Sequence, residues 1–434
     1  MIKILFQLLF LIILLILPQR NAFCNPLSVI RDTQMEQYAL KGVKKLFKSA
    51  GLNEENVQVV FINDLSLNAF VTGGSVVYIH AGLITQTDYS DEFFGVLAHE
   101  TGHVVGGHTI RLISEMEKAQ NTALITTVLG GIAAVASGRG DVGMAIMLGG
   151  MSSAGGLLNS YRQTEENSAD SIAIDLINKS GFSVAGLYEV MRKIEKEERL
   201  RIDNVPNYLR SHPLTKDRIR FLEQAAKDAP QLKEDEEYKL IKAKLFAFLK
   251  EPAQTRVLYN GTSDADLYAQ AIADFKETKI QDALNKTNKL IEKHPENPYF
   301  YEIKGQILFE TGKINEAIDI YTQAHKLLPE ASLIRLSLAQ ALLESETPEN
   351  ILKAIEHLNY ITVHDKYLPD AWYFLYIAHA KNGQYDLSNY YKIEHLLLTG
   401  KNDEVKQLLP KTKKAFEMDT IKSNRLADIE EIIK

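Results

Sequence analysis

The chain has 434 residues, 45% of them apolar and 24% charged, which describes a folded globular protein too long for one ordinary core. A formal charge of −7 leaves no basic stripe, so no nucleic-acid partner is expected. The single cysteine, Cys24, rules out a disulfide framework.

Residues 1–24 have the makeup of an export signal. Lys3 supplies the positive start, and Ile4 to Leu17 is apolar apart from Gln7. Pro18 ends the run, and Ala22 and Cys24 stand at the −3 and −1 positions of a cleavage site. About 14 residues fall short of the ~20 a spanning helix needs, so a cleaved signal is expected rather than an anchor. Phe23 is too large to precede a lipidated cysteine. An exported chain without disulfides points to a bacterial periplasm.

From Asp32 to Ala50, the residues Met35, Tyr38, Ala39, Val43, Leu46 and Phe47 recur at helical spacing and predict an amphipathic helix. Val57 to Ile62 reads as a strand, and Asn68 to His80 as two short strands around Gly73-Gly74. An edge strand here could pair with the main chain of an extended peptide; ordinary sheet core is the competing reading.

Next comes Asp91 to His103, an apolar helix with acids at its start, where the dipole favours them. It carries His99-Glu100-Thr101-Gly102-His103. Residues four apart share a helix face, so both imidazoles can aim at one metal ion, with Glu100 one step round as general base. Polar side chains in so apolar a helix mark a site. His108 stands one residue too early for the third histidine of the longer pattern, where the chain has Thr109. On a continuing helix it points away, and a structural or outer role is expected.

Ala119 to Asn159 is rich in Gly, Ala, Met and Leu. Its apolar pieces, 124–137 and 142–158, fall short of the ~20 residues a spanning helix needs. A buried helical hairpin is one reading; a mobile lid, or peripheral membrane contact through 122–158, is the other. Tyr161 to Asp175 is a further amphipathic helix in which Glu166 and Asp170 share a face. A Glu from a second helix is the usual completion of a two-histidine zinc site. Asp170 is placed to accept the remaining N–H of a liganding imidazole, while Glu165 is expected on the solvated face.

His99-Glu100-x-x-His103 with Glu166-x-x-Ala169-Asp170 downstream resembles the gluzincin metallopeptidases of the HtpX and CAAX prenyl protease type, peptidase family 48. Asn68-Ala69-Phe70 with Gly73-Gly74 and Gly82-Leu83-Ile84 is similar to the strand before that family's metal helix. Ser211-His212-Pro213-Leu214-Thr215-Lys216-Asp217-Arg218-Ile219 resembles its closing His-Pro motif. The four matches cover about residues 60 to 220 in order. The resemblance implies an α+β zincin-type domain, mostly helical with a small sheet, and a zinc endopeptidase. One zinc would be held by His99, His103 and Glu166, with Glu100 as base. Gln163 stands where the family usually has an Arg, with Arg162 one position earlier, which puts an Arg beside the site in doubt. For His212 three roles stay open: a donor to the oxyanion, a latch filling the fourth metal position, or a helix cap before Pro213.

After Glu234-Asp235-Glu236-Glu237 the pattern changes to long helices. A 34-residue shift pairs Ala271 with Gly305, Ala283 with Ala317 and Pro295 with Pro329. That period, with small residues where helices cross and Pro after the second helix, is the tetratricopeptide pattern. The best copy runs from Tyr301 to Pro329. A looser one follows around Leu338 to Ala354, with about three extra residues near Glu344 to Glu349, and another around Trp372 to Gly383. Ile241 to Leu249 begins the all-α solenoid, and Tyr299, Tyr301, Tyr373 and Tyr376 are available to line a groove or to pack between helices.

The expected organisation is signal 1–24, metallopeptidase domain 25–230 and tetratricopeptide domain 231–434. The whole resembles the BepA-type periplasmic protease–chaperones. That resemblance implies unfolded or misassembled outer-membrane proteins as substrates, and the outer-membrane assembly machinery as a partner of the repeats. A chaperone or adaptor with a latched protease site is the alternative.

Overall fold

The computed structural model describes residues 28–72, 75–108, 157–200, 208 and 212–434; the expected signal segment, the Gly73-Gly74 turn and nearly all of the apolar segment 122–158 lie outside them. The chain divides into two compact units, one of Met1–Ile30 with Gly42–Leu232, the other of Arg31–Lys41 with Lys233–Lys434. Segment Arg31–Lys41, counted with the first domain in the sequence reading, packs within the second unit. Lys244 is buried and lies 2.5 Å from Asp32 Oδ2 and 3.5 Å from Glu302 Oε2.

The first unit holds a four-stranded sheet in the order β1–β2–β4–β3, where β1 is Val29–Ile30, β2 Gln58–Ile62, β3 Ala69–Thr72 and β4 Val76–His80. Strands β2 and β4 run parallel, while β3 pairs antiparallel with β4 in the register Ala69↔Ile79 to Thr72↔Val76. Strand β3 is therefore an edge strand. Helix α1 (Thr33–Ser49), whose residues up to Lys41 count with the second unit, starts where the Met35 N–H donates to Asp32 Oδ1, 2.8 Å away. After the short α2 (Ala81–Gln86) comes α3 (Ser90–Val105), buried along nearly its whole length. It packs on α4 (Leu157–Ser180) and α5 (Val184–Leu200), and α6 (Lys216–Ala226) lies against α5. Two glycines allow that proximity: a Cβ on Gly95 would meet Leu187 N at 2.8 Å, and one on Gly102 would meet Ala169 O at 2.6 Å.

The second unit is a run of antiparallel helix pairs led by α7 (Glu236–Leu249) and α8 (Pro252–Leu258). The pairs are α9 (Asp264–Lys276) with α10 (Ile280–Lys293), α11 (Pro298–Glu310) with α12 (Ile314–Leu327), and α13 (Ser332–Glu344) with α14 (Pro348–His364). Two more follow, α15 (Pro369–Lys381) with α16 (Tyr385–Leu398) and α17 (Asn402–Ala415) with α18 (Thr420–Ile432). Gly305 is small because the Tyr321 ring crosses it; a Cβ there would lie 2.6 Å from the ring. The extra residues expected near 344–349 are not in the turn. They lengthen α14 to 17 residues, against 14 in α10 and α12. Tyr299 is buried with its hydroxyl donating to Gln37 Oε1 at 2.9 Å, and Tyr301 packs beside Ala324, Ala331 and Ile334. Among the described residues no helix is long and apolar enough to cross a membrane.

Arg335 stacks on Tyr360 at 3.6 Å from the ring centre, and its Nη1 lies 3.3 Å from His357 Nδ1. Burial, then the charges of His325 and Arg335, push the His357 pKa down to about 4. An unfolded histidine titrates near 6.5, so between those values the unfolded chain binds the extra proton. The stability contributed here is complete above pH ~6.5 and is lost as pH falls toward about 4. His357→Gln should remove on the order of 1–2 kcal/mol of that acid sensitivity, solvent screening being discounted. Thermal midpoints of parent and variant, followed across the window, check it; parallel curves would refute it.

Candidate metal centre

Helix α3 presents His99 and His103 on one face, with their Nε2 atoms 3.1 Å apart and ring planes at 82°. From α4, the buried Glu166 brings Oε2 to 3.2 Å from His99 Nε2 and Oε1 to 3.3 Å from His103 Nε2. His212 adds Nδ1, 3.1 Å from Glu166 Oε1 and 3.4 Å from His99 Nε2. One donor atom from each of His99, His103, Glu166 and His212 falls within 4.8 Å of all the others. Glu100, 3% exposed, has Oε1 3.4 Å from His212 Nε2. The His212 ring stacks on Tyr208 at 4.6 Å, and its backbone N–H donates to Tyr208 O.

Behind these donors lies a layer of supporting groups. Asp170 Oδ1 is 2.8 Å from His99 Nδ1, at hydrogen-bonding distance. Arg218, buried on α6, donates Nε and Nη2 to the two Asp170 oxygens at 2.7 and 2.9 Å. Its Nη1 reaches Glu166 Oε2 and Pro213 O, both at 2.8 Å. The sequence reading missed Arg218, although it stands inside the His-Pro motif. Gln163 is exposed, and the Arg beside the site comes from α6.

His108 departs from expectation as well. Helix α3 stops at Val105, Gly106 caps it and Gly107 takes φ 64°, so the chain turns back. His108 Nδ1 thereby comes to 2.8 Å from His103 Nδ1. Glu165, expected on a solvated face, is 12% exposed, with Oε2 2.7 Å from His108 Nε2.

The electrostatics follow from burying so many ionisable groups together. Burial alone would strip His99 of its proton, but hydrogen bonds and charge from Asp170 and Glu166 outweigh it and push the pKa up to about 10. For His103 burial prevails, helped by the charges of His99 and His212, and its pKa falls to about 3. Burial works to raise Glu166, yet His212, His103 and His99 together hold it well below the usual carboxylate range. Glu100 is raised by burial, against the pull of His212 and His99.

Two imidazole lone pairs 3.1 Å apart, facing one buried carboxylate, repel unless a proton or cation lies between them. A divalent metal satisfies both at once, and the nitrogen, nitrogen and carboxylate donors suit one. The donor set thus fits a metal. An HExxH helix, a glutamate from a second helix and a fourth position beside a buried carboxylic base define a metallopeptidase centre.

Comparison with known proteins agrees. Residues 33–226 match peptidase family M48. It is 27% identical to a "Beta-barrel assembly-enhancing protease" of Yersinia pestis, over 86% of this chain and 78% of the relative. It is 25% identical to the protein of the same name in Escherichia coli strain K12, over 92% of this chain and 82% of the relative. To the "Metalloprotease LoiP" of that strain it is 30% identical over 38% of this chain and 61% of the relative. The chain is a metalloendopeptidase with a tetratricopeptide-like helical region.

Proposed function

We propose that the chain is an exported, zinc-dependent endopeptidase of quality control, cleaving unfolded or misassembled envelope and outer-membrane proteins. The observation that carries the zinc reading is the convergence of His99, His103 and Glu166 donor atoms within 4.8 Å in a largely buried cluster. Substrate class and periplasmic location rest on two supports. One is the relatives named for β-barrel assembly, matched over 78% and 82% of their lengths. The other is the signal-like composition of residues 1–24. The repeat region, taken as 231–434, would dock on partner proteins, the outer-membrane assembly machinery being the partner class those names suggest.

His99, His103 and Glu166 would hold one zinc per chain. When bound, the metal supplies Lewis-acid polarisation of the scissile carbonyl and lowers the pKa of the attacking water. Glu100 takes the proton of that water and returns it to the leaving amine. Burial raises its carboxyl pKa, which makes it the stronger base. Asp170 and Arg218 hold His99 and Glu166 in place. The test is metal analysis of the purified chain: one zinc per chain is expected, and loss of it on His99→Ala. Absence of metal from the parent chain under gentle purification would sink the scheme.

The position of His212 favours a second feature, a latch. Its Nδ1 lies inside the donor set, where it would occupy the position a substrate needs. In this reading His212→Ala raises cleavage of an unfolded protein, on the order of tenfold for one lost ligand contact of ~1.4 kcal/mol. Were His212 an oxyanion donor, the same change would cut kcat about 10²–10³-fold. The sign of the change decides.

A further inference from the structure

We propose that His108, hydrogen-bonded to His103 and backed by the Glu165 carboxylate at ion-pair distance, forms a relay that fixes the His103 imidazole for metal binding, which makes both of them positioning residues. The inference rests on reading His103 as a ligand and extends that reading outward from the metal. The support is a chain of contacts with one self-consistent set of tautomers. His103 faces Glu166, His99 and His212 with Nε2, so a metal would take that nitrogen and the ring proton must sit on Nδ1. The Nδ1–H then points at His108 Nδ1, 2.8 Å away, which must be an acceptor. A neutral His108 accepting at Nδ1 carries its own proton on Nε2, and that nitrogen lies 2.7 Å from Glu165 Oε2. The carboxylate ending the chain selects this tautomer over the reverse one, in which two lone pairs would face each other.

The arrangement differs from the support of the other imidazole. At its Nδ1 His99 meets a carboxylate directly, Asp170 at 2.8 Å, whereas the Nδ1 of His103 meets one only through a second imidazole. His108 is not a competing ligand. It addresses the far nitrogen of His103 and does not share the cluster of donors. Its place depends on the turn at Gly106-Gly107, where φ of 64° at Gly107 sends the chain back toward α3 and α4. Burial keeps the relay dry, with His108 5% and Glu165 12% exposed, so water competes poorly for its bonds.

The experiment measures zinc affinity of the full chain by competition with a chelator, alongside the thermal midpoint of the metal-free chain. His108→Ala should weaken zinc binding about 10–100-fold, the usual cost of losing a partner behind a ligand. His108→Asn, whose Oδ1 can accept in place of Nδ1, should recover most of that loss. Glu165→Ala, at the less buried end, should also weaken binding, and it keeps the test open should His108→Ala fold poorly. If the parent chain binds one zinc and all three variants bind as tightly, the relay is refuted and the metal reading stands. Equal losses in Ala and Asn at 108 refute the hydrogen-bond role too. A parent chain that binds no zinc overturns both readings together.

Discussion

Glu100→Gln should abolish peptide-bond hydrolysis while leaving metal uptake intact. Glu100 lies one step round α3 from His99, is 3% exposed, and belongs to none of the donor pairs that converge on Glu166. Gln fills the same volume and keeps an acceptor, so the helix and the ligands have no reason to move. What disappears is a basic oxygen, and general-base catalysis is worth about 10²–10⁴ in rate. The cleavage rate of an unfolded protein should fall by that factor, with zinc content unchanged. A rate within tenfold of the parent would exclude Glu100 as base. The same variant separates enzyme from adaptor: if a deletion strain is rescued as well by Glu100→Gln as by the parent chain, the biological work belongs to the repeats.

The parts of this centre that could be read before the structure share one property. His99 with His103 and Glu166 with Asp170 are each four apart on one helix, so local geometry alone places them together. The 34-residue repeat was legible for a related reason, since identical units leave the same small residues at the same crossings. Helix starts of α9, α11 and α13 at 264, 298 and 332 keep that period, and the longer α14 puts the next start, that of α15, at 369. What escaped depended on backbone reversal or on a third element. His108 would point away on a continuing helix, but two consecutive glycines end α3 at Val105. Glu165 looked solvated because its neighbours in sequence are polar, but the group that covers it comes from the turned-back chain. Arg218 stands within the His-Pro motif, and nothing local in the sequence indicates that α6 aims it at α4.

Arg218→Met should destabilise the first unit more than any other single change at this centre. Arg218 is 1% exposed and answers two buried carboxylates, Asp170 through Nε and Nη2 and Glu166 through Nη1. Its guanidinium is held in the charged form: burial opposes the charge, and Asp170 and Glu166 outweigh burial. Met matches the stem but leaves Asp170 and Glu166 without the cation that compensates them. Removing one partner of a buried ion pair costs about 3–5 kcal/mol, because the remaining charge stays buried and unpaired. For a unit of this size that lowers the thermal midpoint by roughly 6–20 °C. The cycle with Asp170→Leu isolates the pair. The double variant should be markedly more stable than the sum of the single losses predicts, by about 2 kcal/mol or more. Additive losses, or a cost below about 1 kcal/mol for Arg218→Met, would show that solvent already compensates these carboxylates. In that event the fixed orientation of His99 and Glu166 would need another cause. The measurement therefore bears on the metal centre as well as on stability: the cation that keeps Asp170 ionised also keeps it an acceptor for His99.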